Sequence, residues 1–191
     1  MLIKEYAKDP SKNVRAEVVE NGNELDTLMK DSDPEIRRLV AEKGHKLDVL
    51  MNDKDARVRE AVALRGHKLE SFKNDESSAV RKVAARRGVN LETYVNDEDK
   101  DVRAEVAKHG YGLDKLEDDP EDRVRQEVVK QGHNYEKMIN DSNWAVRAEI
   151  ARNGYGLDKL VNDKSKQVRE EIERIESQRN RQKRIDEGKD V

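Results

Sequence analysis

The sequence predicts an all-α protein, an α-solenoid of about eight 22-residue repeats, each a long helix followed by a short α or 3₁₀ helix. Three observations carry that reading. An apolar residue followed by arginine recurs every 22 residues, at Arg15, Arg37, Arg59, Arg81, Arg103, Arg125, Arg147 and Arg169. Glycine keeps the same interval from Gly22 to Gly154, and aspartate keeps it from Asp9 to Asp163. Three rows sharing one register without an insertion mark stacked structural repeats.

Taken in chain order, residues 2–8, "LIKEYAK", supply the short helix of a first partial unit. Each full unit then opens with a long helix. In "SDPEIRRLVAEKG", Ser32 or Asp33 is the N-cap, Pro34 sits where a missing N–H does no harm, Glu35 favours the first turn, and Gly44 stops the helix after about ten residues. Beyond the glycine, "KLDVLMND" places Leu47, Leu50 and Met51 on one face of a short helix of barely two turns. Helices this short are marginal alone, so stability has to come from stacking one unit on the next. The rows beginning at Val18, Leu25 and Leu28 are the expected core. In the last unit Glu176 replaces the glycine, so the final helix runs on into the polar "IESQRNRQKRIDEG". The expected organisation is one solenoid over residues 1–175 and a polar extension over 176–191. Two stretches, "VRAEVAKHGYGLDKL" from Val102 and "VRAEIARNGYGLDKL" from Val146, are nearly identical and lie 44 residues apart, the trace of a two-unit duplication.

Composition narrows the function classes. Charged residues make up 42% and net charge is -3, so no global field draws the chain to nucleic acid or to an anionic membrane. The absence of cysteine excludes disulfides, thiolate nucleophiles and Cys-ligated metal centres. No apolar run approaches the ~20 residues that span a bilayer, and "MLIKEYAKD" has no signal-peptide apolar region, so a cytoplasmic location without membrane contact is expected.

The repeat pattern L-x-x-L-x-x-D-x-x-x-x-(V/I)-R-x-x-(V/A/I)-(A/V)-x-x-G resembles the leucine-rich repeat variant family, and more loosely the HEAT-like α-solenoids, over roughly residues 3–172. That resemblance implies alternation of an α-helix with a shorter, often 3₁₀, helix. Units in the family are usually a little longer, and its proline-rich turn is here "G-(H/Y)-x-L-(D/E)". Some members carry a cysteine-ligated iron–sulfur module, for which this chain lacks the ligands.

Four groups of residues are candidates for function. On a helical wheel the recurring arginine falls inside the apolar arc, about 100° from the preceding valine. It either builds a structural ladder with the aspartate row or lines up phosphate-binding cations. Residues 54–90 hold ten Lys or Arg against five acids (10 − 5 = +5), whereas residues 91–141 hold eight against fifteen (8 − 15 = −7). Arg65, Lys82, Arg86 and Arg87 are part of that basic excess, partly explained by the helix dipole. Leu39, Ala61 and Val83 replace a glutamate found at the same repeat position elsewhere, as an apolar strip for a partner or as locally buried residues. Trp144, the sole tryptophan, stands at a loop–helix junction as a partner anchor or as a lid on its neighbour. His45, His67 and His133 share a row with Tyr111 and Tyr155, which argues against a metal site, and no catalytic constellation appears. The expectation is a non-enzymatic, cofactor-free scaffold binding another protein, with nucleic-acid binding through the basic surface of residues 57–87 as the alternative.

Overall fold

A computed structural model describes residues 2–188, so residues 189–191 of the expected polar extension lie outside the described part. All regular structure among the described residues is helical, in successive helix pairs that form a helical repeat. Contacts group the chain into two compact units, residues 1–94 and 95–191.

The first unit holds α1 (Leu2–Tyr6), α2 (Lys12–Glu20), α3 (Leu25–Leu28), α4 (Pro34–Glu42), α5 (Leu47–Leu50) and α6 (Ala56–Leu64), then a 3₁₀ turn (Leu69–Phe72), α7 (Ser78–Arg86) and α8 (Leu91–Tyr94). The second holds α9 (Lys100–Lys108), α10 (Leu113–Leu116), α11 (Asp122–Lys130), α12 (Tyr135–Met138), α13 (Trp144–Arg152), α14 (Leu157–Leu160) and α15 (Lys166–Asp186). In the first unit the long helices pack side by side in the order α2, α4, α6, α7; in the second the order is α9, α11, α13, α15.

Local chemistry sets each boundary. Asp33 caps α4, its carboxylate accepting the Glu35 amide at 2.8 Å, with Pro34 in the first turn. At the other end Gly44, at φ +78°, donates to Ala41 O at 2.8 Å while His45 donates to Val40 O, the Schellman closure. Two residues on, a second left-handed residue turns the chain into the short helix. That position is held by Glu24, Lys46, Lys68, Asn90, Gly112, Asn134 and Gly156. The short helices span four residues each, less than the sequence suggests, because the chain must return at once to the next capping turn.

The core is built from more rows than the sequence reading assigns. The Val18 and Leu28 rows are buried throughout, as are Ile36, Val58, Val80, Val102, Val124, Val146 and Val168, and so is the small-residue row from Val19 through Ala151. The Leu25 row is a correction. Leu25, Leu47, Leu91, Leu113, Tyr135 and Leu157 are only half-buried and Leu69 alone is buried, because this position begins the short helix at the edge of the layer. Tyr94, which stands where other units have leucine, phenylalanine or methionine, is fully buried and donates its hydroxyl to Phe72 O at 3.0 Å, so its polar atom is satisfied inside the core.

Candidate binding surfaces

The arginine row is an internal fastening. Arg37 donates from Nε and Nη2 to the two carboxylate oxygens of Asp53 at 2.7 and 2.8 Å, and from Nη1 to the carbonyls of Asp31 and Ser32 at 2.8 and 3.2 Å. Asp53 in turn accepts the Asp55 amide at 2.9 Å, closing the turn that enters α6. One guanidinium thereby joins the entry turn of its own repeat to that of the next. Arg15–Asp31 and Arg59–Asp75 repeat this geometry in the first unit, and Arg103–Asp119, Arg125–Asp141 and Arg147–Asp163 repeat it in the second. Arg81 is buried and donates to the Asp75 and Glu76 carbonyls, and Arg169 donates to the Asp163 carbonyl.

Electrostatics follow the geometry. Its bond to Asp163 holds the Arg147 guanidinium above its ordinary value, against the opposing effect of burial. Burial pushes the Asp53 carboxyl up, but the bonds from Arg37 and the Asp55 amide outweigh it and leave the group below the usual carboxylate range. Asp163 is likewise lowered, chiefly by Arg147. Both partners are stabilised in their charged forms.

The basic stretch of residues 57–87 divides by exposure. Arg59 and Arg81 are buried within the fastening and turn no charge outward. Arg57 pairs with Asp55 at 2.8 Å, Arg87 reaches back to Leu64 O at 3.1 Å, and the Arg65 guanidinium lies against Gly44. In the same repeat position Lys43 reaches Glu20 O at 3.0 Å, so the cation ending a long helix also caps the helix before it. Arg57, Arg65, Arg86 and Arg87 remain exposed, and Lys82 is half-buried.

Packing also redistributes the other candidates. Ala61 and Val83 are buried and Leu39 is half-buried, so the three form no continuous apolar strip at the surface. That position has little access to solvent in the second unit too, where Glu105 and Glu127 are buried. Leu64, three residues along α6 from Ala61, is instead 49% exposed, and the sequence reading does not single it out. The same face of the second unit is ionic: Glu105 pairs with Lys108, Glu127 with Lys130, and Arg152 joins Glu149 to Glu171 at 2.8 and 3.1 Å. Trp144 opens α13 and is 43% exposed.

The histidine row links repeats through their short helices. His45 Nε2 lies 2.9 Å from Asp26 and His67 Nε2 lies 3.0 Å from Asp48, each in hydrogen-bond geometry, whereas His133 Nε2 lies 3.0 Å from Glu117 without forming a hydrogen bond. Among the described residues no cluster of three or more His, Asp or Glu is placed to hold a metal ion, and no helix is long and apolar enough to cross a membrane.

The chain matches no protein-family model, and no curated protein matches it significantly.

One surface escaped the sequence reading. Between α1 and α2 runs a groove of about 460 Å³ whose walls include Ile3, Tyr6, Val14, Glu17 and Val18. Val14 is half-buried, whereas the other seven members of its row, Ile36 to Val168, are fully buried. Within the first unit α4, α6 and α7 each have the preceding long helix against them, and α2 has only the five-residue α1.

Proposed function

We propose that the protein is a non-enzymatic, cofactor-free cytoplasmic scaffold that binds another protein, in the manner of the leucine-rich repeat variant and HEAT-like solenoids it resembles. The observation that supports this reading most is the fate of the polar groups that recur from repeat to repeat. Six arginine–aspartate rungs are closed within the chain, while four large apolar residues stay open to solvent: Leu64 and Trp144, which break their repeat rows, and Ile3 and Tyr6, which begin theirs, each between 43% and 49% exposed. Aromatic and large aliphatic residues in such settings are typical interface anchors.

Affinity purification from a cell lysate, followed by reconstitution of the recovered protein in purified form, tests it. Stoichiometric binding weakened by Leu64→Glu or Trp144→Ala supports the reading, and recovery of nucleic acid alone refutes it. A second reading, binding of a nucleic-acid backbone by exposed Arg57, Arg65, Arg86 and Arg87, is favoured by the +5 balance of residues 54–90 (10 − 5). It requires gel-shift affinity that falls steeply with salt, and no shift at ~50 mM salt removes it.

A further inference from the structure

The groove between α1 and α2 carries a more specific consequence. Within each unit, the face of a long helix corresponding to Val14 and Val18 is packed against the preceding long helix, and that helix also sends its arginine to the aspartate of the next entry turn. The chemistry of such a neighbour is visible in α9. Arg103 donates to Asp119 at 2.6 and 2.9 Å, while Ala104 and Ala107, one and four positions further on, are buried. In the turn that joins α1 to α2 the receiving half of this arrangement is already in place. Asp9 is oriented by the Ser11 amide, which its carboxylate accepts at 2.7 Å, as Asp119 accepts the Glu121 amide at 2.9 Å. Among the described residues that is the only bond to the Asp9 carboxylate. Glu17, on the wall, adds a second negative charge.

We propose that this groove takes an amphipathic helix of a protein partner, one that lays small residues against Val14 and Val18 and pairs an arginine with Asp9. The proposal rests on the reading of the protein as a binding scaffold and names one of its sites. The occupant sets a cation at this place because Glu17 on the groove wall and Asp9 in the adjoining turn offer two carboxylates. It is narrow-faced because Ile3 and Tyr6 flank the place where a long helix would lie. The final helix of a second copy does not fit this description. In α15 the two small positions are Glu170 and Glu173, both exposed, and docking would bury their carboxylates against valine.

The test uses a helix of known fit. A fluorescein-labelled, hydrocarbon-stapled peptide of residues 98–110, "EDKDVRAEVAKHG", is titrated with the full chain and followed by anisotropy. Saturable binding is expected, weakened at least about tenfold by Arg103→Gln in the peptide or Asp9→Asn in the protein, since a bidentate charge-assisted pair is lost. Tyr6→Glu, at a residue 47% exposed, should abolish binding without unfolding the protein, with circular dichroism as the check. Absence of saturable binding by folded protein, or binding indifferent to both charge-removing changes, overturns the proposal. So does a dimer in sedimentation that Tyr6→Glu dissociates, which would give the groove to a second copy. A partner recovered by affinity purification that binds Tyr6→Glu protein undiminished removes this site and leaves the scaffold reading standing.

Discussion

Replacing Arg147 by alanine removes the most enclosed of the rungs. The side chains of Arg147 and Asp163 are 4% and 7% exposed, and the guanidinium makes bonds of 2.7 and 2.8 Å to the carboxylate and of 2.6 and 3.1 Å to the Asp141 and Ser142 carbonyls. Without it, Asp163 keeps only the Ser165 amide, at 2.7 Å. Breaking a buried pair by removing one partner costs about 3–5 kcal/mol. The rung floors an open groove shared with Glu136, Asn140 and Lys159, so water can reach the abandoned carboxylate and the lower end, about 3 kcal/mol, applies. For a chain of this length the melting temperature should fall by about 6–12 °C. A double-mutant cycle with Asp163→Asn, which retains the acceptor for Ser165, should return a coupling of about 2 kcal/mol in urea unfolding. A single-mutant loss below about 1 kcal/mol, or an additive cycle, would refute the assignment of the row as the fastening between repeats. The cycle also has a pH signature. Arg147 holds the Asp163 carboxyl below its ordinary value in the folded protein, so the unfolded chain takes up this proton first as acid is added. The stability it confers is whole above the unfolded pKa and is lost as pH falls through the folded one, and Arg147→Ala should move the acid-unfolding midpoint upward.

Other expectations follow the same physics. Asp55, bonded to the Arg57 side chain and amide and lowered to about 2, should titrate near that value by NMR, and Asp55→Ala should cost about 1 kcal/mol by uncapping α6. Gly112→Ala places a methyl 2.5 Å from Val95 Cγ2 on a backbone with φ +63°, and should destabilise by at least about 2 kcal/mol in urea unfolding, with partial rescue by Val95→Ala. Lys46, left-handed at φ +51°, should gain about 0.5–1 kcal/mol on replacement by glycine, read as a raised urea midpoint. Arg59→Gln should leave any nucleic-acid affinity unchanged while lowering stability, since its guanidinium is bonded to Asp75 and turned inward; loss of binding without loss of stability would reverse that assignment.

The repeat, the order of long and short helices and their caps were legible because each rests on a local rule applied many times: Asp33 before Pro34, Gly44 after the helix, Arg37 in the apolar arc. Rows were harder than elements. Leu25 and Leu28 look alike in sequence, yet only Leu28 is buried, because a four-residue helix turns one side inward and leaves its first residue at the rim. Ala61 and Val83 illustrate the converse: their position is buried even where it holds Glu105 or Glu127, so an apolar residue there belongs to the interior and not to a docking strip. The groove at Val14 was the least legible feature, since it depends on what lies beside the residue and not on the residue itself.

The glycine pair in the second unit limits how such an array can be rearranged. Gly112 leaves room for Val95 and Gly156 leaves room for Ile139, whereas Asn134, at the intervening place, bonds Glu117 instead. Bulk and its relief therefore alternate with a period of two repeats. Excising residues 96–117 would set Val95 against an asparagine that has a Cβ, but excising residues 96–139 would set it against Gly156, a partner of the kind it already has. Shortening by 44 residues should be tolerated where shortening by 22 is not, so the exchangeable cassette of this part of the chain is the pair of repeats.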